Sequence, residues 1–480
     1  MKLKELIADI PVRRMSADPE TEISGISYDS RRTKPGDLFV AIRGFETDGH
    51  RFIPAAVRNG AAAILCEEIP REDIPFIEAE DSRKGLALCS RAFYGDPSGE
   101  MRIIGITGTS GKTSVSILLK QLLEKTRGLH VGLIGTNGII IGEEELPSEH
   151  TTPESCDLQR LFREMKDRGC THVVMEVSSH ALALDRVAGV HFDTAVYTNL
   201  SQDHLDFHRD MEDYASAKRK LFSMCGAACI NTDDPWAGFM AEGIRCPVLT
   251  YGQNEKAQLR AENPAFLADR VCFTACLGNE RVPAELHIPG VFSVSNALAV
   301  IAAAMGEGIP LRECAAALGT LHGVKGRLEN IPTGRGFSVL RDYSHKPDAL
   351  EKVLRSLRPS TAGRLICVFG CGGDRDRLKR PLMGRIALQN ADFVIVTSDN
   401  PRTEEPEAII DEIVAGMDGA DTPWCRICDR VEAIHRAMDM AEDGDVILLA
   451  GKGHEDYQVI GHEKRHMDER EIVLDYLKQL

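Results

Sequence analysis

Ile103–Ser114 reads IIGITGTSGKTS, a β-branched strand that runs into a glycine corner and then into the start of a helix. Gly108 and Gly111 let backbone N–H groups come close to phosphate oxygens, and the N-terminus of the following helix adds its dipole. In a loop of this pattern Lys112 neutralises the terminal phosphates and the Thr113 hydroxyl ligates Mg²⁺. Strand, loop, Lys-Thr pair and helix agree with one another, so the segment reads as a nucleotide phosphate loop on an α/β sheet. Ile106 stands where the usual motif has its first glycine, five places before Gly111. That shortening speaks against the ordinary switch GTPases and motor ATPases.

The same pattern recurs outward from this segment: a short apolar run, a polar Gly-rich corner, a helical stretch. Upstream, Asp37–Ile42 and Ala61–Cys66 read as strands. Downstream come Val131–Ile134, Val173–Val177, Ala195–Thr198, Ala228–Asn231 and Val248–Tyr251, then an antiparallel stretch around Val271–Leu277 and Ala284–Ile288 and a helix over Ser295–Met305. Arg364–Phe369, Asp392–Thr397 and Asp445–Ala450 each run straight into a polar motif: GCGGDRDRLKR, SDNPRTEEP and GKGHEDYQ. Ligands of open parallel sheets sit outside the carboxyl ends of the strands, so the three motifs are expected to share one crevice. Punctuation at Tyr94–Gly99 and at His322–Arg327 divides the chain into domains 1–98, 99–327 and 328–480. The expected fold class is α/β in three domains, with a parallel-sheet ATPase-like centre and a Rossmann-like C-terminal part.

Composition narrows the function. The chain has 480 residues, 43% hydrophobic and 27% charged, enough apolar material for sizeable cores. Its net charge of -16 is the wrong sign for a general nucleic-acid or anionic-membrane binder. No apolar run approaches the ~20 residues that span a bilayer, and Glu5 and Asp9 interrupt the N-terminal apolar positions, so no signal peptide is expected. The 14 Cys show no paired framework, and the lone Cys425-x-x-Cys428 lacks a second half for zinc; reduced cytosolic thiols are the expectation.

Glu176 ends an apolar strand, which suits a Mg²⁺ ligand, although such a Glu could equally cap a helix or face solvent. His204 and His208 lie four apart, but the Glu of a zinc-binding H-E-x-x-H helix is missing. Lys218, in ASAKRKLF, reads by itself as part of a solvated helix face.

Taken together, Gly108-Thr-Ser-Gly-Lys-Thr, Thr151-Thr152-Pro153, Glu176-Val-Ser-Ser-His, Asn199-Leu-Ser-Gln-Asp-His-Leu-Asp, Ala217-Lys218-x-x-Leu-Phe and Asp399-Asn400-Pro401-Arg402 resemble the Mur ligases, over essentially the whole chain and in order. The resemblance implies an ATP-dependent ligase of peptidoglycan synthesis. It would add meso-2,6-diaminopimelate to the D-Glu γ-carboxylate of UDP-MurNAc-L-Ala-D-Glu through an acyl phosphate. Residues 1–98 would bind the UDP-MurNAc part, 99–327 ATP, and 328–480 the amino acid.

By the same resemblance Lys112, Glu176, His204 and Lys218 are catalytic, and Thr113, Glu176, His204 and Lys218 hold Mg²⁺. The implied Lys218 is carbamylated by CO₂, which turns a cation into an oxygen-donor anion. ATP would meet Gly108, Thr109, Ser110, Gly111, Lys112, Thr113, Ser114, Asn296, Arg327 and Asp342; the UDP-MurNAc dipeptide, Ser30, Thr151, Thr152, Ser178 and Arg186. Diaminopimelate would meet Arg375, Asp399, Asn400, Pro401, Arg402, Gly451 and Glu455. Its second carboxylate needs a cation and no competing anion, which Arg402 and the neutral Asn400 provide, while Glu455 suits the distal ammonium.

A cytoplasmic monomer without nucleic-acid partner or membrane insertion is expected. Folylpolyglutamate synthetase is the rival within the same fold, and Ser30 and the DNPR loop argue against it. A non-enzymatic nucleotide switch would leave Lys218, Arg375 and Arg402 without a task.

Overall fold

The computed structural model describes residues 1–44, 47–71, 74–148, 150–419 and 421–479. The chain forms two compact units: Met1–Gln258 with Ala302–Ile309, and Leu259–Ile301 with Pro310–Leu480.

The first unit opens with a five-stranded sheet in the order Val12–Met15, Phe76–Ala79, Ala63–Cys66, Asp37–Val40, Gly25–Ser27. All its pairings are parallel except that of the first strand. Successive side chains of a strand point to opposite faces. Accordingly Leu38, Val40 and Leu65 share a core with Leu3, Leu6, Leu86 and Cys89, while Phe39, Ala41, Ile64 and Cys66 share another with Ile53 and Ala56. Both faces are covered by helices, as a mostly parallel sheet requires.

A second sheet in this unit runs Val248–Gly252, Cys225–Asn231, Phe192–Tyr197, Arg102–Thr107, His172–Glu176, Val131–Gly135, all parallel, and ends in two antiparallel strands, Gly138–Ile141 and Glu144–Leu146. The helix Lys112–Arg127 buries Val115, Leu118, Leu119, Leu122 and Leu123, the spacing of one helical face, and stops at Gly128, whose φ of 62° a side chain would disfavour. Ile103, Val173, Met175, Ala195 and Tyr197 share a core with Leu158, Leu161, Phe162 and Met165 of the helix Ser155–Asp167. In register, Ile106 lies opposite Glu176 on one side and Val196 on the other. The phosphate loop, Glu176 and the segment after Tyr197 therefore leave the sheet side by side.

The second unit holds an antiparallel trio, Leu259–Phe266, Val271–Leu277 and Glu280–Leu286. Its last strand starts earlier than the expected Ala284, because the chain turns back at Gly278, at φ 55°. The helix expected over Ser295–Met305 covers Phe292–Gly306.

A six-stranded sheet follows, in the order Glu329–Ile331, Ser338–Asp342, Val446–Ala450, Leu365–Phe369, Phe393–Val396, Trp424–Arg426, parallel but for its first pair. Ala433, Ile434, Ala437 and Met438 pack with Ile366, Val368, Ile395, Ile447 and Leu449. Ala450 is level with both Asp342 and Phe369, and Phe369 with Val396. The three motifs read from the sequence thus emerge at one edge. Among the described residues no helix is long and apolar enough to cross a membrane.

Candidate active site

In the first unit the phosphate loop is tied down from the next strand end. Gly108 has φ 148°, and a Cβ there would run into Thr198 Oγ1. Thr109 N donates to Asn199 O at 2.8 Å, Ser110 N to Asn199 Oδ1 at 3.0 Å, and Thr198 Oγ1 to Ser110 O at 2.7 Å. Thr109 Oγ1 accepts from Ser201 N at 3.0 Å and meets Tyr214 OH at 3.1 Å. Gly111 caps the helix without any side-chain acceptor, so the first helical N–H groups, at Lys112, Thr113 and Ser114, are those an anion would find. Lys112 Nζ donates to Gly108 O and Thr109 O at 2.9 and 3.1 Å, folded back over the loop.

Lys218 is 1% exposed, the opposite of a solvated helix face. Its Nζ donates to Gly108 O at 2.9 Å and lies 4.5 Å from the Tyr214 ring. Burial, reinforced by the charge of Lys112, holds its pKa well below the usual lysine range. Its neighbours face elsewhere: Arg219 pairs with Glu242 at 2.9 Å, and Lys220 donates to Leu182 O at 3.2 Å. The motif singles out Lys218 by resemblance, and the tertiary environment shows why: of the three basic residues it alone is buried.

Glu176 is 1% exposed and accepts from Thr136 N at 2.9 Å and Thr136 Oγ1 at 3.1 Å. Thr136 also meets Thr151 Oγ1 at 3.0 Å, and Thr152 Oγ1 donates to Glu176 O at 2.8 Å and accepts from Ser178 N at 3.1 Å. Arg186 Nη1 reaches Thr152 O at 3.1 Å, while its Nε is buried without a hydrogen-bond partner among the described residues. Thr151, Thr152, Ser178 and Arg186 are therefore one cluster with Glu176. Thr136 was missed in the sequence; its signal is the Gly-Thr-Asn-Gly corner after Val131–Gly135.

His204 sits at φ 54°, its ring 4.8 Å from His180 and 6.2 Å from Tyr214. Burial and the neighbouring His204 and His208 push His180 down to about 4. His208 is 3% exposed and bonded to Ser179 Oγ at 3.0 Å, a packed residue and not half of a zinc pair. No group of three or more His, Cys, Asp or Glu among the described residues could hold a metal.

Ser30 lines a cleft of about 500 Å³ with Tyr28, Asp29, Arg31, Ile42, Gly44, Thr47, Gly49 and Phe52. Only Ser30 of this set was anticipated as a site residue; Asp29 and Arg31 flank it in the same Asp-Ser-Arg stretch, and the remaining walls come from strand ends and turns that carry no motif.

In the second unit Asp342 is buried, accepts from Leu328 N at 2.8 Å and Ser344 N at 3.0 Å, and has its pKa raised by burial. Arg327 and His454 flank the Tyr343 ring at 5.2 and 5.0 Å. Arg327 Nε and His454 Nδ1 are both buried with no hydrogen-bond partner among the described residues. Asn296 lies on the helix Phe292–Gly306, half-buried.

The three strand-end motifs meet in one crevice. Asn400 Nδ2 donates to Glu455 Oε2 at 2.8 Å, Gly373 N to Asn400 O at 2.8 Å, and Arg402 Nη1 to Gly373 O at 2.8 Å. Gly451, at φ 115°, lets Asp399 approach so closely that a Cβ would lie 2.9 Å from its Oδ2. Pro401 O packs against Gly373, and Arg375, exposed, donates to Asp374 O at 3.0 Å.

Two cations missed in the sequence stand behind this crevice. Arg380, 0% exposed, pairs with Glu404 and Glu412 at 2.8 Å, and Glu404 also accepts from Asp374 N at 2.6 Å. Lys452, 0% exposed, lies among Asp399, Asn400 and Glu455.

A phosphate loop on one parallel sheet and a charged crevice at the strand ends of another define an α/β protein built to handle a nucleotide. Family models agree: "Mur ligase family, catalytic domain" matches residues 22–94, "Mur ligase middle domain" 106–304 and "Mur ligase, glutamate ligase domain" 326–453. The chain belongs to the Mur ligase family.

Curated relatives named UDP-N-acetylmuramoyl-L-alanyl-D-glutamate--2,6-diaminopimelate ligase include those of Caldanaerobacter subterraneus subsp. tengcongensis and of Geobacillus thermodenitrificans. The first is 47% identical, covering 100% of this chain and 99% of the relative. The second is 41% identical, covering 100% of both. A solved structure of a ligase of that name superposes with TM-score 0.79 at 33% identity, covering 100% of this chain and 99% of that one. The MurF ligase of Thermotoga maritima in complex with ADP shares the fold, with TM-score 0.60 at 20% identity and 96% and 97% coverage.

Proposed function

We propose that this protein joins meso-2,6-diaminopimelate to UDP-MurNAc-L-Ala-D-Glu at the expense of ATP, in the cytoplasm and as a monomer, with domains at 1–98, 99–327 and 328–480. The reaction takes two steps. The D-Glu γ-carboxylate attacks the γ-phosphorus of ATP, forming an acyl phosphate and expelling ADP. The amine of diaminopimelate then attacks the acyl carbon, and phosphate leaves as the amide forms.

The chain's part is to bring two anions together and keep water away. The loop Gly108–Ser114 and the uncapped helix N-terminus take the phosphates, and Lys112, now folded onto loop carbonyls, turns to the γ-phosphate when ATP is bound. Asn296, Arg327 and Asp342 meet the nucleoside, and the partnerless Nε of Arg327 supports a ligand there. Ser30 and its cleft, with Thr151, Thr152, Ser178 and Arg186, take the UDP-MurNAc dipeptide.

Carboxylate and hydroxyl oxygens suit a hard divalent cation, and Glu176 with Thr113 supplies both. A protonated Lys218 would repel such an ion. Burial favours its neutral amine, which would add to CO₂ with loss of a proton, and the resulting carbamate oxygens, with His204, would join Glu176 and Thr113 in holding the ion. When bound, Mg²⁺ offsets the negative charge gathered on the phosphates.

The reading rests above all on the neutral Asn400 beside Glu455 and Arg402 at adjoining strand ends. Arg402 offers its guanidinium to the second carboxylate, with Arg375 as a further cation of the same motif set, and Glu455 takes the distal ammonium. Asp399, Pro401 and Gly451 shape the floor. The test is phosphate release with ATP, Mg²⁺ and UDP-MurNAc-L-Ala-D-Glu, comparing meso-diaminopimelate with L-lysine at equal concentration. Turnover with diaminopimelate alone is expected; turnover with lysine alone would keep the ligase and break the assignment of Asn400 and Arg402.

A further inference from the structure

Lys452 is without solvent exposure, and the strand-end segments of the amino-acid crevice close around its Nζ. Asn400 Oδ1 lies at 3.2 Å, Glu455 Oε2 at 3.3 Å and Asp399 Oδ1 at 3.6 Å, with the Tyr457 ring centre 5.7 Å away. An ammonium has only protons to give, and so has the backbone N–H of Val459, which donates to the same Asn400 Oδ1 at 2.9 Å. Two obligate donors on one oxygen leave the carboxamide a single orientation. Its Nδ2 must point away from them, and there it donates to Glu455 Oε2 at 2.8 Å.

Both contacts made to the Glu455 carboxylate fall on Oε2. No donor of the described residues reaches Oε1, and the side chain keeps 16% of its exposure. Asp399, Glu455 and Lys452 together carry one net negative charge, the complement of one ammonium. Without Lys452 the carboxylates of Asp399 and Glu455 would lie together with no cation between them, and the Val459 N–H alone would hold the Asn400 oxygen.

We propose that Lys452 is a positioning residue of the amino-acid site: with the Val459 N–H it holds the Asn400 carboxamide as a donor, and it balances Asp399, so that Glu455 Oε1 remains for the distal ammonium of the incoming amino acid. This rests on the reading of the crevice given above, and it adds to it a residue that touches no substrate. The sequence gives no hint of the role, because Lys452 meets Asp399 and Asn400 from more than 50 positions away.

Lys452→Met and Lys452→Arg test it, with KM measured separately for amino acid, ATP and nucleotide dipeptide, and with melting followed in parallel. Lys452→Met is expected to raise KM for meso-diaminopimelate by about a hundredfold, as loss of one partner of a buried charge cluster does, and to leave the other two KM values within about threefold. Lys452→Arg keeps the charge but misplaces the donors; a rise of about tenfold in the same KM is expected. Should Lys452→Met fail to fold, the arginine variant decides alone. An unchanged amino-acid KM in a variant that still unfolds in one cooperative transition above the assay temperature overturns the proposal, and so do equal rises in all three KM values, which would make Lys452 merely structural. Wild-type turnover with another amino acid would overturn only the substrate assigned above, and the same comparison with that amino acid then decides the role of Lys452.

Discussion

Lys218 and Lys452 are the two most buried lysines of the described residues, one in each unit, and their surroundings are opposite. Lys218 has a backbone carbonyl, an aromatic ring and the repelling charge of Lys112 around it. Lys452 has two carboxylates and a carboxamide oxygen. Burial beside another cation, with Asp203 only a lesser opposing charge, disfavours the protonated form and yields an amine able to react; burial among carboxylates favours a cation that organises its neighbours. One residue type thus supplies a chemical group in the first unit and a structural charge in the second.

The sharpest way to break this contrast is Lys218→Ala. Activity is expected to fall about a thousandfold, as when a group stabilising transition-state charge is lost, and to recover in part with added short carboxylates. A variant as active as wild type would take the carbamate out of the mechanism.

Substituting Met at each position should move stability in opposite directions. Lys452→Met leaves Asp399 and Glu455 with no cation between them and should cost about 3 kcal/mol in denaturant unfolding. Lys218→Met, compared with unmodified wild type in CO₂-free buffer, should gain about 1 kcal/mol by removing a buried group that water would rather keep charged. The sign with pH follows. The folded chain binds fewer protons at Lys218 than the unfolded chain up to the ordinary lysine pKa of about 10.4, so wild-type stability should climb with pH toward that value. The Met variant should lack that slope.

Arg402→Ala sharpens the substrate side. Losing its guanidinium should raise KM for diaminopimelate about thirtyfold while ATP binding stays within about twofold; equal losses would remove its selective role.

The smallest effect concerns the buttress. Hydrogen bonding to Arg380 holds the Glu404 pKa down at about 2. A depressed carboxylate contributes stability that is complete above its unfolded pKa of about 4.3 and is lost as pH falls through the folded value. Arg380→Met should therefore flatten the acid limb of the melting curve between about pH 4.3 and 2. An acid limb unchanged from wild type would show that the pair does not hold the loop.

Much of the molecule was legible in one dimension. The strand, the loop Gly108–Ser114 and the helix after it are local in sequence, and local backbone chemistry is enough to specify a phosphate loop. The strands before the 370, 397 and 451 corners were readable for the same reason, and the level strand ends then follow from parallel pairing. Thr136, the walls of the Ser30 cleft, Arg380 and Lys452 were not, since each matters only through partners remote in the chain.

Sequence alone therefore determined the α/β class, the phosphate loop and the motifs of one shared crevice, because these rest on short-range periodicity and glycine geometry. Only the tertiary structure decided which of Lys218, Arg219 and Lys220 is buried, which way the Asn400 carboxamide points, and which lysine meets a carboxylate. Burial and charge pairing depend on what packs against a side chain in space, and that is set by the fold as a whole.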